Sequence, residues 1–176
     1  TKNRLSEIGK YFSEHEKLIN FIDIRPELFY GNYPGGMAEP DDRFIRNSML
    51  KLCRNETLKL TAGTQKRDII HVEDMARLVS SVLKAGFAGY RFLPAGTGEK
   101  HPIREIIEFM HRETGSTSRL DFGAVPQREG EFDTLADISW YGEIGYSLKH
   151  TFFGGLADEC RKVREELNRG GNNDIT

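Results

Sequence analysis

Strand-like segments alternate with amphipathic helical segments from one end of this 176-residue chain to the other. The first helical segment repeats Leu5, Ile8 and Phe12 at helical spacing, and the apolar, β-branched run Phe21–Arg25 is ended by Pro26. The remaining segments continue the pattern, with strands predicted at 58–60, 67–72, 90–93 and 120–122 and helices beginning near 41, 74, 102, 137 and 155. Such alternation is typical of an α/β protein.

Apolar spacing also predicts which faces of the helices are buried. For the third helix, the predicted buried residues are Met75, Leu78, Val79, Val82 and Leu83, and for the fourth they are Ile103, Ile106, Ile107 and Met110. A Gly/Pro-rich loop is predicted over 31–40, and the Gly/Asn-rich segment 169–176 is predicted to be a flexible tail.

Composition narrows the possible functions. The net charge of −2 gives no reason to expect a nucleic acid as partner, and no run of about 18 apolar residues suggests a membrane span. Cys53 and Cys160 are too few and too far apart for a disulfide framework, which favours a cytoplasmic protein. The five histidines lack the spacing of metal ligands, so no metal site is predicted.

Two arginines are candidate anion ligands. Arg67 begins a predicted strand, and Arg128 lies in the irregular segment 126–130. Arginine at such positions can bind phosphate oxygens through its forked guanidinium group. Each could instead pair with a nearby carboxylate, such as Asp68 or Glu129, and spacing alone favours this structural interpretation.

Two further motifs have both a functional and a structural interpretation. The turn Gly96–Thr97–Gly98 precedes a helix and could cradle a phosphate group, although a plain turn is the simpler explanation. Glu73 and Asp74 could act in acid/base chemistry, but two acids at a helix start more often cap the helix.

Five landmarks occur in a fixed order along the chain: Thr1-Lys2 with Glu7, Arg25-Pro26 through Tyr30-Gly31, Gly63 through Asp74 with Arg67-Asp68, Gly96-Thr97-Gly98 before Ile103, and Arg128-Glu129-Gly130-Glu131 before Ala136-Asp137. In this order they resemble the C-terminal part of the extended short-chain dehydrogenase/reductase family. That family contains NAD-dependent nucleotide-sugar epimerases and dehydratases, and the details are most similar to its deoxysugar 4-ketoreductases. The resemblance covers Thr1 to about Ala157, nearly the whole chain.

The resemblance implies roles near the cofactor. Lys2 matches the family's catalytic lysine, which holds the nicotinamide ribose of NAD or NADP and lowers the pKa of a tyrosine four residues earlier. Pro26 and Leu28 match the loop between the nicotinamide and the sugar. The matching tyrosine and the family's Gly-rich dinucleotide fingerprint have no counterpart in this sequence.

The resemblance also implies a nucleotide-sugar site. Arg67 and Arg128 match the arginines that bind the diphosphate, Leu58 and Leu60 match a strand along the base, and Phe44 and Ile45 begin a helix that covers it. Departures from the family motifs, such as Leu28 and Pro94 where asparagine is usual, leave the sugar and the reaction open between epimerisation, 4-reduction and dehydration.

The implied architecture is a remnant of a Rossmann-type fold with parallel strands, joined to a small α/β substrate-binding lobe. Residues 1–31 would belong to the dinucleotide-binding domain and 32–168 mainly to the nucleotide-sugar lobe, with 67–98 packing back on the cofactor domain. A homodimer through the first helix is expected. The alternative is a truncated, non-catalytic module that binds a nucleotide sugar or a partner subunit. Since the length is about half of what the resemblance requires, an open apolar sheet edge is predicted near 21–25 and 90–94.

Overall fold

The computed structural model describes residues 2–17, 19–31 and 44–170. Helices α1 to α5 are Lys2–Glu14, Phe44–Cys53, Val72–Ala85, Ile103–Thr114 and Phe152–Gly170. Strands β1 to β8 are Phe21–Pro26, Phe29–Tyr30, Leu58–Leu60, Lys66–Arg67, Ile70–His71, Tyr90–Ala95, His101–Pro102 and Leu120–Phe122, and a 3₁₀ helix covers Ser139–Ile144. Most of the predicted loop 31–40 and residues 171–176 of the predicted tail lie outside the described residues. Helix α5 continues to Gly170, two residues into that predicted tail.

The described strands form four two-stranded ladders. Three are parallel, pairing β1 with β6, β2 with β5 and β3 with β8, whereas β4 and β7 run antiparallel. Each parallel pair joins strands that are far apart in sequence, with helices in the intervening chain. The α/β class expected from the alternation is therefore confirmed. The two-residue strands β2 and β7 were not predicted, because two residues carry no recognisable periodicity.

In the longest ladder, between β1 and β6, the outer edge of β1 is unpaired among the described residues. The amide of Phe21 donates to Gly89 O at 2.9 Å and that of Glu27 donates to Ala95 O at 3.3 Å. Successive residues of a strand point their backbone groups to opposite edges, so the amides of Ile22 and Ile24 point away from β6. Among the described residues, no strand pairs with that edge.

Two apolar cores flank the ladders. The larger is formed by α2, α4 and α5 together with β3, and it contains Leu52, Ile106 and Leu156, all fully buried. The smaller packs α3 and the 3₁₀ helix on one face of the β1–β6 ladder, with Leu78, Leu93 and the half-buried Ile22 and Ile24 among its members. The predicted buried face of α4 is confirmed, since all four of its predicted residues are buried.

The predicted buried face of α3 was partly wrong. Leu78 and Val82 are buried, but Leu83 is 75% exposed and Val79 is 36% exposed. Only a narrow stripe of α3 contacts the smaller core in the described part of the chain, so the wider apolar face that periodicity predicted is not covered there. The helix begins at Val72 rather than near Asp74, because His71 caps it through its side chain.

The single strand predicted over 67–72 is in fact two strands, β4 and β5, interrupted at Asp68 and Ile69. Strand β4 pairs antiparallel with β7, and β5 pairs parallel with β2. The chain therefore changes partners within a few residues. Asp68, at the break, is fully buried and is hydrogen-bonded from a different part of the chain.

Candidate functional site

Asp68 connects three of the five sequence landmarks. Its carboxylate accepts hydrogen bonds from the amide and hydroxyl of Thr97, at 2.8 and 2.7 Å, and from the amide of Gly98 at 3.0 Å. It also accepts from the amide of Ala136 at 3.2 Å. The Gly96–Thr97–Gly98 turn thus wraps a carboxylate of its own chain. This favours the structural interpretation of the turn over a phosphate cradle.

The Arg67 side chain contacts residues 131 and 132, which follow Arg128 in the chain. Its Nη1 atom donates to Phe132 O at 2.6 Å, and Nη2 lies 3.7 Å from Glu131 Oε1. Arg67 therefore pairs with a carboxylate, as the structural alternative has it, but the carboxylate is that of Glu131 and not that of the adjacent Asp68. The Arg67 guanidinium instead lies at the base of the loop on which Arg128 is exposed, three residues before Glu131.

Backbone hydrogen bonds attach the same segment to β4. The amide of Asp68 donates to Thr134 O and that of Thr134 to Lys66 O, both at 3.1 Å. Asp133 accepts from the amide of Lys66 at 2.9 Å and from Lys100 Nζ at 3.1 Å, and these bonds hold the pKa of Asp133 below its usual value. The two predicted phosphate ligands thus lie on adjoining, mutually bonded segments.

A cleft of about 890 Å³ opens beside β1. All of β1 and the following residues to Gly31 line it, together with Leu5 and Ser6 of α1 and Phe44 to Arg46 of α2. Pro26 and Leu28, predicted to lie near the nicotinamide, are on its wall. Its volume is in the range of pockets for small molecules and cofactors.

Arg25 joins the beginning of α1 to β1 at this cleft. It bonds Asp23 with two nitrogens, Nε at 3.2 Å and Nη2 at 2.9 Å, and its Nη1 donates to Asn3 Oδ1 at 2.7 Å. Asn3 follows Lys2 directly, so the start of α1 is fixed against the strand that lines the cleft. The side chain of Lys2 itself lies outside the described part of the structure.

The four residues predicted to lie along the nucleotide base of the substrate differ in their exposure to solvent. Leu58, Leu60 and Ile45 are buried in the larger core, at 3%, 6% and 4% exposure, whereas Phe44 is 39% exposed. The two leucines point into the core on alternate positions of β3, so only the β3 backbone and Lys59 are presented outward. Ile45 and Phe44 also line the cleft.

Asp74 has a structural role, as the capping interpretation implies, but its side chain bonds to the segment before α5, and the cap of α3 is His71. The side chain is buried and accepts from the amides of Lys149 and His150, at 2.7 and 3.0 Å, and from His150 Nδ1 at 2.8 Å. Burial alone would raise the pKa of Asp74, but these hydrogen bonds outweigh it and lower the pKa. Asp74 therefore fastens α3 to the segment that leads into α5.

His71 and Glu159 form a buried pair beside the hydrogen bonds of Asp74. His71 Nδ1 accepts from the amide of Glu73 at 3.1 Å, and Nε2 lies 3.2 Å from Glu159 Oε1. Burial opposes ionisation of Glu159, yet hydrogen bonds from His71 and Lys162 lower its pKa to about 2. Neither pair was predicted from the sequence, because His150 and Glu159 lie 76 and 88 residues from their partners.

Comparison with known proteins agrees with the landmarks. The model of the NAD dependent epimerase/dehydratase family matches residues 1–92. CDP-abequose synthase of Salmonella muenchen is 29% identical over 158 residues, which cover 89% of this chain and 52% of that protein. The chain thus spans about half the length of this curated relative.

Solved structures show the same fold. UDP-glucose 4-epimerase of Thermotoga maritima superposes with a TM-score of 0.77 at 20% identity, covering 94% of this chain and 52% of that one. UDP-glucuronic acid 4-epimerase of Bacillus cereus, solved with UDP-glucuronic acid and NAD, superposes with a TM-score of 0.75 at 21% identity, covering 93% and 50%. The family match over more than half of the sequence, together with this Rossmann-type fold, shows that the chain belongs to the NAD dependent epimerase/dehydratase family.

Proposed function

We propose that this chain is the nucleotide-sugar-binding half of an NAD(P)-dependent nucleotide-sugar epimerase, 4-reductase or dehydratase. Arg67 and Arg128 would bind the diphosphate from the two adjoining segments. Phe44, Ile45 and the strand of Leu58 and Leu60 would form the wall along the base. The deoxysugar 4-reductase class is favoured by the 29% identity to CDP-abequose synthase.

The observation that carries the proposal is the bonding of β4 to the 131–134 segment. It brings the base of the Arg128 loop against the Arg67 guanidinium, although the two arginines are 61 residues apart in sequence. Two guanidinium groups on adjoining segments suit a ligand with two linked phosphates. Glu131 lies 3.7 Å from Arg67 and limits the net positive charge there, so a bound diphosphate would compete with a carboxylate.

The cleft beside β1 fits the nicotinamide end of NAD(P). Its wall combines Pro26 and Leu28 with the start of α1, where Lys2 is the first helical residue. The Arg25–Asn3 hydrogen bond would hold the Lys2 backbone against the cleft, and the Lys2 ammonium would bind the ribose and favour the phenolate form of a nearby tyrosine. NAD(P), when bound, supplies the hydride chemistry.

The assembly that we propose is a homodimer in the cytoplasm, formed through α1. Leu5, Ile8, Tyr11 and Phe12 are 61%, 54%, 50% and 41% exposed, which places an apolar stripe of α1 in solvent. A second copy of the stripe would cover it. Both cysteines are free. No helix among the described residues is long and apolar enough to cross a membrane.

Calorimetric titration tests the proposal. The chain is titrated with CDP-, UDP-, GDP- and dTDP-sugars, with and without NAD(P)H, and we expect one nucleotide class to bind and Arg67→Ala or Arg128→Ala to weaken it at least about tenfold. Arg119→Ala is the control, since Arg119 is an exposed arginine that pairs with Asp121. Absence of binding by every nucleotide sugar would contradict the proposal, and cofactor-dependent turnover by this chain would rule out the non-catalytic module.

A further inference from the structure

At the start of α3, the neighbouring residues His71 and Glu73 meet His150, which is more than 70 residues away in sequence. One potential ligand atom each from His71, Glu73 and His150 lies within 4.8 Å of the other two. We propose that these three residues form a binding site for a divalent transition metal ion such as Zn²⁺. The proposal is independent of the nucleotide-sugar function, and it revises the expectation of no metal site, which rested on sequence spacing alone.

In each imidazole ring, one nitrogen lies within hydrogen-bond distance of a buried carboxylate and the other nitrogen faces Glu73. His150 Nδ1 lies 2.8 Å from Asp74 Oδ2, and His150 Nε2 lies 3.6 Å from Glu73 Oε2. His71 Nε2 lies 3.2 Å from Glu159 Oε1, and His71 Nδ1 faces the amide of Glu73. A carboxylate on the second nitrogen is the arrangement that orients metal-binding histidines and makes them more basic.

The chemistry and access of the group suit zinc. Two imidazoles and one carboxylate are ligands that Zn²⁺ takes in tetrahedral sites, with a fourth position left for water. The side chains of His71 and His150 are 4% and 11% exposed, whereas that of Glu73 is 43% exposed. The ion would enter from the Glu73 side, and Glu73 has room to turn towards the two rings and shorten the ligand separations.

A positive side chain and a backbone donor already contact two of the proposed ligands, Glu73 and His71. Lys149 Nζ lies 2.5 Å from Glu73 Oε1, and the Glu73 amide donates to His71 Nδ1 at 3.1 Å. A bound ion would compete with the Lys149 ammonium for the Glu73 carboxylate, and binding to His71 Nδ1 would cost α3 one capping hydrogen bond. Lys149 therefore competes with the metal ion for Glu73, so removal of its charge should raise the metal affinity. A cluster with a purely structural role would show no such effect.

The test uses Co²⁺ and Zn²⁺ as probes on the chain as it stands. We expect Co²⁺ to bind with the intense visible absorption of four-coordinate cobalt and Zn²⁺ to displace it, with both followed by calorimetry. Glu73→Gln and His150→Asn should each weaken binding at least about tenfold, whereas Lys149→Met should tighten it several-fold. His101→Asn is the matched control, since His101 pairs with Glu105 at 3.1 Å at a separate place.

Two results would overturn the proposal. One is a Co²⁺ spectrum that stays weak and six-coordinate at saturating protein. The other is an affinity that Glu73→Gln leaves unchanged, or that Lys149→Met fails to increase. Circular dichroism of the metal-free variants checks their folding. Glu73 and Lys149 are partly exposed, so these two variants decide the matter even if His150→Asn does not fold.

Discussion

Thr97 donates two hydrogen bonds to one oxygen of Asp68, from its amide at 2.8 Å and from its hydroxyl at 2.7 Å. The second oxygen accepts from the amides of Gly98 and Ala136. Four donors from two segments therefore converge on a fully buried carboxylate. This arrangement fixes the turn after β6 and the segment after the Arg128 loop relative to Arg67.

Asp68→Asn should strongly destabilise the protein. The amide group is similar in size but turns an NH₂ towards backbone donors, so buried N–H groups lose their acceptor. We expect the free energy of unfolding to fall by about 3 kcal/mol, measured by urea denaturation. The control is Asp158→Asn, a partly exposed residue paired with Arg161, which should change stability by less than about 0.5 kcal/mol. Equal effects of the two variants would contradict a central role for Asp68.

Gly96→Ala should also be destabilising, for a steric reason. A Cβ at this position would overlap Asp68 Oδ2 and lie 2.6 Å from the Cβ of Ala136. Thermal and urea unfolding should show a loss of about 1–3 kcal/mol. Gly142→Ala is the matched control, since no atom lies within 4 Å of its added Cβ. An unchanged free energy of unfolding for Gly96→Ala would contradict the close packing of this turn against Asp68.

The Asp133 carboxylate should contribute stability that depends on pH. Its pKa is lowered by the Lys66 amide first and by Lys100, so the charged form is favoured in the folded state. A group with a lowered folded pKa stabilises the protein above its unfolded pKa of about 4, and this contribution is lost as the pH falls further. The stability difference between the native chain and Asp133→Asn should therefore be present at pH 6 and shrink below about pH 4. A difference that is constant across this range would be inconsistent with the assignment.

The exposed stripe of α1 should control oligomeric state. We expect the native chain to be a dimer by light scattering and the double variant Leu5→Glu/Ile8→Glu to be monomeric, because charge replaces the apolar contact. Leu83→Glu is the control, since Leu83 is 75% exposed but lies on α3. A monomeric native chain, or dissociation by Leu83→Glu alone, would contradict dimerisation through α1.

Local signals predicted most of the elements. Helix α4 is preceded by Pro102 and has four apolar residues at helical spacing, and β1 is a β-branched run ended by a proline; both formed where expected. These features depend on neighbours within a few residues. Periodicity alone could not distinguish the buried stripe of α3 from its exposed flank at Leu83, because burial depends on what packs against the helix.

Long-range hydrogen bonds could not be predicted in the same way. The break between β4 and β5 depends on Asp68 meeting Thr97 and Ala136, which are 29 and 68 residues away. The Asp74–His150 bond joins residues 76 apart. Arg67 and Arg128 became candidates from their positions at a strand start and in a loop, and the order of the landmarks strengthened both, but only the fold shows that their segments adjoin.

The most direct test of the central claim is binding of a diphosphate-linked ligand through the two arginines. A nucleoside diphosphate sugar of the class that binds in the titration series is compared with its free nucleoside, using the native chain and Arg67→Ala/Arg128→Ala. We predict that the diphosphate sugar binds at least about a hundredfold more tightly to the native chain and that the double variant loses most of this advantage. An advantage that persists in the double variant would contradict the assignment of the diphosphate site to Arg67 and Arg128.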